Sequence, residues 1–232
     1  MKETVEGIIL NETNYSETSK ILNILTKEHG YISVMSKGSR TMKSKLRGIS
    51  MKLVYAEFTI SYKEKGISNL IEGNLLNSFK NIMTDYNKMT YANKCINIVK
   101  SVLKENNSKE IFNILKDSLL KINDDFNSNL IYIILELKLL DYLGVKPDFN
   151  ECINCGSSDI ITFDLTIPGS ICNNCYQDSY LFKPNTIKLL KLFQNVDIKK
   201  IDKLNISDLK VIEELEYFIK EYYDSYTGIY LK

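Results

Sequence analysis

Four of the five cysteines form two Cys-x-x-Cys pairs within residues 151–176. Each pair can hold two thiolates on one side of a tight turn, and two pairs complete a tetrahedral site for an ion that prefers sulfur, above all zinc. Sixteen residues separate the pairs, a spacing typical of four-cysteine zinc ribbons. Gly156 directly after the first pair supplies the backbone freedom that such a turn needs. The spacing therefore predicts zinc bound by Cys152, Cys155, Cys172 and Cys175.

Other uses of paired cysteines fit less well. Two disulfides would require an oxidising compartment, and no apolar signal segment follows Met1, so we expect a reduced cytosol. A redox Cys-x-x-Cys usually occurs singly beside a βαβ pattern. Because four thiolates fill a tetrahedral site and leave no position for a catalytic water, the zinc is expected to be structural.

A second group of residues that could bind a ligand is cationic. Five Lys and Arg side chains lie within eleven residues that contain no acidic residue, and the Ser and Gly residues between them predict a flexible backbone. Such a run is often only a solvated loop, but next to aromatic residues such as Tyr15, Tyr31 and Tyr55 it favours contact with the phosphates and bases of DNA or RNA. The candidate DNA-binding residues are Lys37, Arg40, Lys43, Lys45 and Arg47.

The first eighty residues have the pattern of short strands that must position this cationic run. The clearest case has the period of a strand with one buried face. The residues of that face are Val54, Ala56, Phe58, Ile60 and Tyr62. Five strands in so short a length predict a small closed barrel, OB-like, with an SH3-like barrel as the alternative. The predicted strands are residues 4–10, 19–26, 30–37, 52–62 and 67–76.

The period changes to that of helices after residue 77. Residues 78–103 predict one long helix or two joined ones, with Cys95 as a buried hydrophobe on the apolar stripe. Ser108 is placed to cap a second helix, and residues 130–143 are apolar nearly all round, as in a central helix. Residues 186–194 and 207–226 predict two more, the last with Leu209, Ile212, Leu215, Phe218, Ile219 and Tyr222 on one face.

These elements predict an α+β multidomain protein. Residues 1–78 form the OB-like barrel, and residues 79–232 form an α-helical domain with a zinc ribbon-like loop at 148–180. The net charge of +1 at pH 7 conceals twelve Lys and Arg against eight Asp and Glu in residues 1–80. No apolar run is long enough to span a membrane.

Function classes can be compared on the same residues. A zinc-dependent nuclease or deaminase would need a His or carboxylate ligand and a general base, which the cysteine block does not offer. The chain lacks a phosphate-binding Gly-x-x-x-x-Gly-Lys loop, and a zinc-ribbon or helix-turn-helix regulator would need a basic recognition helix. The residues therefore favour a nucleic-acid-binding protein without enzymatic activity.

The order of parts resembles the RecO family of bacterial DNA repair proteins over essentially the whole chain. The resemblance rests on Gly7-Ile8-Ile9-Leu10, Tyr15-Ser16-Glu17-Thr18-Ser19-Lys20, Thr26-Lys27-Glu28-His29-Gly30, Lys37-Gly38-Ser39-Arg40, and residues 139–147 followed by the cysteines. The Lys-Gly-x-Arg segment and the cysteine block are its most specific parts. Some members of the family lack the cysteines, which also suggests a structural metal.

The resemblance implies a non-enzymatic recombination mediator in DNA repair. Such a protein binds single- and double-stranded DNA, anneals complementary strands, and works with RecR to help RecA displace the single-stranded-DNA-binding protein (SSB). It also implies contact with the acidic C-terminal tail of SSB and a place in the bacterial cytoplasm, associated with the nucleoid.

Overall fold

The structure, a computed structural model, describes residues 1–178 and 180–230. The chain forms two compact units, Met1–Asp124 and Asp125–Lys232. The predicted domain limits, 1–78 and 79–232, stay a prediction. The predicted loop 148–180 includes residue 179, which lies outside the described residues. Among those described, no helix has both the length and the apolar character needed to cross a membrane.

Five strands close into a barrel at the start of the first unit, as the sequence predicted. Their order around the barrel is β1-β2-β3-β5-β4, with β1 pairing β4 to close it and β3 running parallel to β5. This is the arrangement of an OB-like barrel. The strands are β1 Lys2–Tyr15, β2 Ser19–Thr26, β3 Gly30–Ser36, β4 Tyr55–Ser61 and β5 Ser68–Asn77.

The alternation of β4 explains how the barrel fills its core. Ala56, Phe58 and Ile60 are fully buried, and Val54 just before the strand is nearly so. Tyr62 packs against the same core from the end of the strand. The predicted buried face is therefore confirmed, since successive side chains of a strand point to opposite sides.

Three helices complete the first unit: α1 Lys80–Thr84, α2 Tyr86–Glu105 and α3 Ile111–Asn123. The predicted pair of joined helices is confirmed by α1 and α2, and Cys95 on α2 is fully buried as expected. The predicted cap at Ser108 is wrong, because α3 begins after Glu110 and the Ser108 hydroxyl bonds to that carboxylate instead.

The second unit is built around a helix that is buried on most sides, as the sequence predicted. Asn127 caps this helix by accepting the backbone N–H of Leu130, and Gly144 with φ +73° follows its end. On the last helix Leu209 is 72% exposed, so its predicted place on the buried face is wrong; Val211 and Tyr223 are buried there instead. The elements are α4 Ser128–Tyr142, β6 Ile160–Asp164, β7 Gly169–Cys172, α5 Pro184–Asn195 and α6 Leu209–Tyr226.

Candidate metal centre and nucleic-acid interface

The four paired cysteines meet in the second unit. Their sulfur atoms all lie within 4.8 Å of one another, and the sulfurs of Cys155 and Cys172 are 3.6 Å apart. A tetrahedral ion with metal–sulfur bonds of about 2.3 Å separates its ligands by about 3.8 Å, whereas a disulfide brings two sulfurs to about 2.0 Å. The donor set and its spacing therefore fit a metal ion rather than two disulfides.

Each cysteine pair sits on a hydrogen-bonded turn, as expected for ligands that must converge. The carbonyl of Cys152 accepts the backbone N–H of Gly156 at 2.8 Å, and the carbonyl of Cys172 accepts that of Tyr176 at 3.0 Å. Gly156 has φ +72°, a left-handed conformation that favours glycine, so the predicted role of this residue is confirmed.

The short hairpin β6–β7 brings the two turns together. Cys172 ends β7, and the backbone N–H of Ile153 donates to the carbonyl of Ser170 on the same strand. An aromatic cluster then attaches the hairpin to α6, with ring centroids of Phe163 and Phe218 5.2 Å apart. The members of the aromatic cluster are Phe149, Phe163, Phe182, Phe218 and Tyr222.

The four thiols differ in acidity because they share hydrogen bonds. A hydrogen bond from the Cys172 backbone is the largest cause that lowers the pKa of Cys152 to about 6. Hydrogen bonds with the thiols of Cys155 and Cys172 raise the pKa of Cys175 to about 12. The shared hydrogen bonds thus favour the thiolate at Cys152 and the protonated thiol at Cys175.

The cationic run, here called the basic segment (residues 37–47), follows β3 in the first unit. All five candidate side chains, Lys37, Arg40, Lys43, Lys45 and Arg47, are exposed. No acidic side chain of the described residues forms an ion pair with any of them. Their charge is therefore available to an anionic ligand.

The backbone of the basic segment is more ordered than the sequence predicted. The N–H groups of Thr41, Ser44, Arg47 and Ser50 each donate to the carbonyl three residues earlier, at 3.2 to 3.4 Å. The turns begin at Gly38, directly after Lys37, and they place Arg40 and Lys43 at the same position of successive turns. The expected flexibility is thus contradicted, because backbone hydrogen bonds hold consecutive turns together.

Side chains fasten these turns to the barrel. Leu46 and Ile49 pack against the barrel core, and Ile49 covers Gly73 of β5 so closely that a Cβ there would lie 2.7 Å from its Cδ1 atom. The hydroxyls of Ser36 and Ser50, at the two ends of the segment, are 2.8 Å apart and buried. The barrel therefore presents the cations on a supported surface.

Arg40 connects the basic segment to the turn between β1 and β2. Its backbone N–H donates to the carbonyl of Thr18 at 2.9 Å, and its Nη1 donates to the carbonyl of Ser16 at 2.7 Å. Tyr15 is next to this contact and is 52% exposed. The guanidinium group thus contacts the residue that follows an exposed tyrosine, and cations and aromatic rings together bind single strands.

The other two tyrosines named as stacking candidates are less accessible. Tyr55 donates its hydroxyl to Glu6 and lies against the rings of Phe79 and Phe112. Burial raises the pKa of Tyr31 above its usual value. Of the three, Tyr15 has the exposure that stacking on a base requires.

The predicted strand 52–62 includes Lys52 and so hides it as a candidate. In the structure it precedes β4, five residues after Arg47, and its ammonium donates to the Asn93 side chain of α2 at 2.6 Å. A signal was present in the sequence: α2 carries four lysines and, at its last position, a single acidic residue, Glu105.

Comparison with known proteins matches nearly the whole chain to one family. The family model "Recombination protein O N terminal" matches residues 1–79, and "Recombination protein O C terminal" matches residues 83–232. The chain is similar to "DNA repair protein RecO" of Bacillus pumilus (strain SAFR-032), at 32% identity over 98% of this chain and 90% of that protein. The protein of the same name in Bacillus subtilis (strain 168) gives the same identity and the same coverage of both chains.

Proposed function

The chain belongs to the RecO family of DNA repair proteins, and from this premise we propose that it is a recombination mediator without enzymatic activity. It binds single- and double-stranded DNA and anneals complementary strands. With RecR it helps to load RecA onto DNA coated with SSB, whose C-terminal tail it contacts. It does so in the bacterial cytoplasm, associated with the nucleoid.

One observation carries the proposal: five exposed cations follow one another on hydrogen-bonded turns at the surface of an OB-like barrel, and no described acidic side chain pairs with them. Phosphates supply most of the sequence-independent affinity of nucleic-acid binding. Annealing requires that the repulsion between two phosphate chains be screened without reading of the bases. Lys37, Arg40, Lys43, Lys45 and Arg47 provide that screening.

The second unit holds a structural zinc site. Cys152, Cys155, Cys172 and Cys175 bind the ion, and when bound it cross-links the two turns that flank β6 and β7. Their sulfur-only donor set favours zinc over calcium or magnesium, which prefer oxygen ligands. It also argues against the alternative of a zinc-dependent nuclease or deaminase, because four thiolates leave no position for a reactive water.

The basic segment is tested by removing charge without disturbing its anchors. Lys43→Gln with Lys45→Gln removes two positive charges from side chains that form no hydrogen bond or ion pair with the described residues. We expect the slope of log K against log salt to fall by about 0.7 per lost contact on single strands and about 0.9 on duplexes. Fluorescence anisotropy with oligonucleotides of unrelated sequence, between 50 and 200 mM salt, measures the slope. At 0.1 M salt the same change corresponds to about a fivefold loss of single-strand affinity per lost contact.

A matched control removes two lysines whose charge is already balanced. Lys146 and Lys220 form ion pairs with Asp141 and Glu221, so Lys146→Gln with Lys220→Gln changes the net charge equally. This control should bind DNA like the unchanged protein. Equal losses in both variants would mean that net charge alone matters, and unchanged binding in the first would reject the basic segment as the DNA site.

A further inference from the structure

Lys52, which follows the basic segment in the chain, contacts helix α2. Lys52 follows the short 3-10 turn Gly48–Ser50, and its ammonium donates to Asn93 Oδ1 at 2.6 Å. Four residues lie between Arg47 and Lys52, so their Cα atoms are at most about 18 Å apart. The cations of the segment and the surface of α2 around Asn93 are therefore close enough for one nucleic-acid strand to reach both.

One exposed stripe of α2 is basic and polar. Residues that recur at three- and four-residue steps share a face of a helix. Beside Asn93 this rule places one tyrosine, a second asparagine and two lysines on that face, and the tyrosine is 89% exposed. The only acidic residue of the helix is Glu105, at its last position. The stripe consists of Tyr86, Asn93, Asn97, Lys100 and Lys104.

Lys52 contacts α2 at Asn93, and Lys100 lies on the same stripe of that helix. Burial lowers the pKa of Lys52, and the positive charge of Lys100 lowers it further. No acidic side chain among the described residues forms an ion pair with either lysine. An anion bound at this surface would be attracted by both lysines, with no paired acidic side chain among the described residues to compete for them.

We propose that Lys52, Lys100 and Lys104 continue the DNA path from the basic segment along α2 and bind the backbone phosphates of a single strand. This inference rests on the proposed function and adds a second contact surface to it. Lys100 and Lys104 are about 6 Å apart along the helix axis, which corresponds to phosphates one or two nucleotides apart. Asn93 positions the Lys52 ammonium, and Asn97 offers an amide donor on the same stripe.

The test removes the charges of Lys52 and Lys100. In Lys52→Gln with Lys100→Gln, glutamine keeps a polar group beside Asn93 while both charges are lost. With fluorescently labelled oligo-dT in anisotropy titrations, we expect about a fivefold loss of affinity per lost contact at 0.1 M salt and a salt slope lower by about 1.4. The control Lys146→Gln with Lys220→Gln should bind as the unchanged protein does.

Melting of the same variants separates DNA contact from a structural role. If the pair repels in the free protein, the melting temperature of the double variant should stay equal or rise. Lys104→Gln is a second variant that cannot disturb packing, because Lys104 is exposed. It should lose about fivefold at 0.1 M salt.

Each outcome decides between this inference and the proposed function. Weaker binding by Lys43→Gln with Lys45→Gln, but unchanged binding and salt slope in the α2 variants, would overturn the α2 path and leave the proposed function intact. That result is also expected if the stripe instead takes an acidic protein segment. If the unchanged protein binds no oligo-dT at every salt concentration tested, both the α2 path and the proposed function are rejected.

Discussion

Tyr15 illustrates at the scale of one residue how the first unit would distinguish single from double strands. Its ring is half exposed and makes no ring contact with the described residues, and the neighbouring Ser16 carbonyl accepts the Arg40 guanidinium. Phosphate contacts act on both forms of DNA, whereas an exposed ring can stack only on an unpaired base. A preference for single strands would therefore depend on this side chain rather than on the charges beside it.

Tyr15→Ala tests this role. Stacking contributes about 1–3 kcal/mol per base, so we expect single-strand affinity to fall by at least about fivefold while duplex affinity and the salt slope change little. Anisotropy with single- and double-stranded forms of one sequence measures the difference. Tyr230→Ala, which removes another exposed tyrosine, serves as the control. Equal losses on both forms of DNA would contradict a stacking role.

At the scale of elements, the basic segment depends on strand β5 for its position. Gly73 leaves the space that Ile49 occupies at the barrel core, and Ile49 lies in the short 3-10 turn that ends the segment. A side chain at position 73 would compete with Ile49 for that space. The glycine therefore determines whether the turns that carry the cations can pack on the barrel.

Gly73→Ala should destabilise the first unit by about 1–3 kcal/mol, because its Cβ would lie 2.7 Å from Ile49 Cδ1. Ile49→Val removes that methyl group and should recover part of the loss when the two changes are combined. Thermal melting of the four proteins in this cycle measures the coupling. Strictly additive effects would show that Ile49 does not occupy the space beside Gly73.

The β6–β7 hairpin of the second unit, here called the metal hairpin, is held in place by the cysteines and by the aromatic cluster. Cys152→Ser with Cys175→Ser should lose the metal and destabilise this unit by only part of the about 10–16 kcal/mol that structural zinc contributes in small domains, because the aromatic cluster remains. Metal analysis and thermal melting check this. DNA binding should keep its salt slope, since the cations belong to the other unit. Identical melting of the unchanged protein with and without metal would reject a structural role.

At the scale of the whole molecule, regular elements were predictable and their packing was not. The alternation of β4 and the continuous apolar surface of α4 indicate their buried faces directly, because the period of a strand or helix depends only on residues that are close in the sequence. The cysteine spacing likewise predicted a cluster that the structure confirms.

The structure differs from the predictions where contacts between residues distant in the sequence determine the local structure. The basic segment looked flexible from its Ser and Gly content, but its order comes from Ile49 over Gly73 and from Ser36 against Ser50. Leu209 fits the apolar stripe of α6, yet it is the first residue of the helix and is exposed. The lysines of α2 are visible in the sequence, but only folding brings Lys52 against that helix, so their association could not be predicted.

The two units divide the proposed work: one carries the cations for DNA, and the other carries the metal hairpin. If the cations of the first unit screen the repulsion between two DNA strands, annealing should require them and should not require the metal. Removing charge from the basic segment would then affect annealing and binding together.

The most direct measurement is the annealing of complementary oligonucleotides, one with a fluorophore and one with a quencher, with and without bound SSB. The account predicts that the unchanged protein accelerates annealing in both cases, that Lys43→Gln with Lys45→Gln slows it severalfold, and that Lys146→Gln with Lys220→Gln does not. Annealing at the unchanged rate after loss of the basic charges, or no acceleration by the unchanged protein, would contradict it.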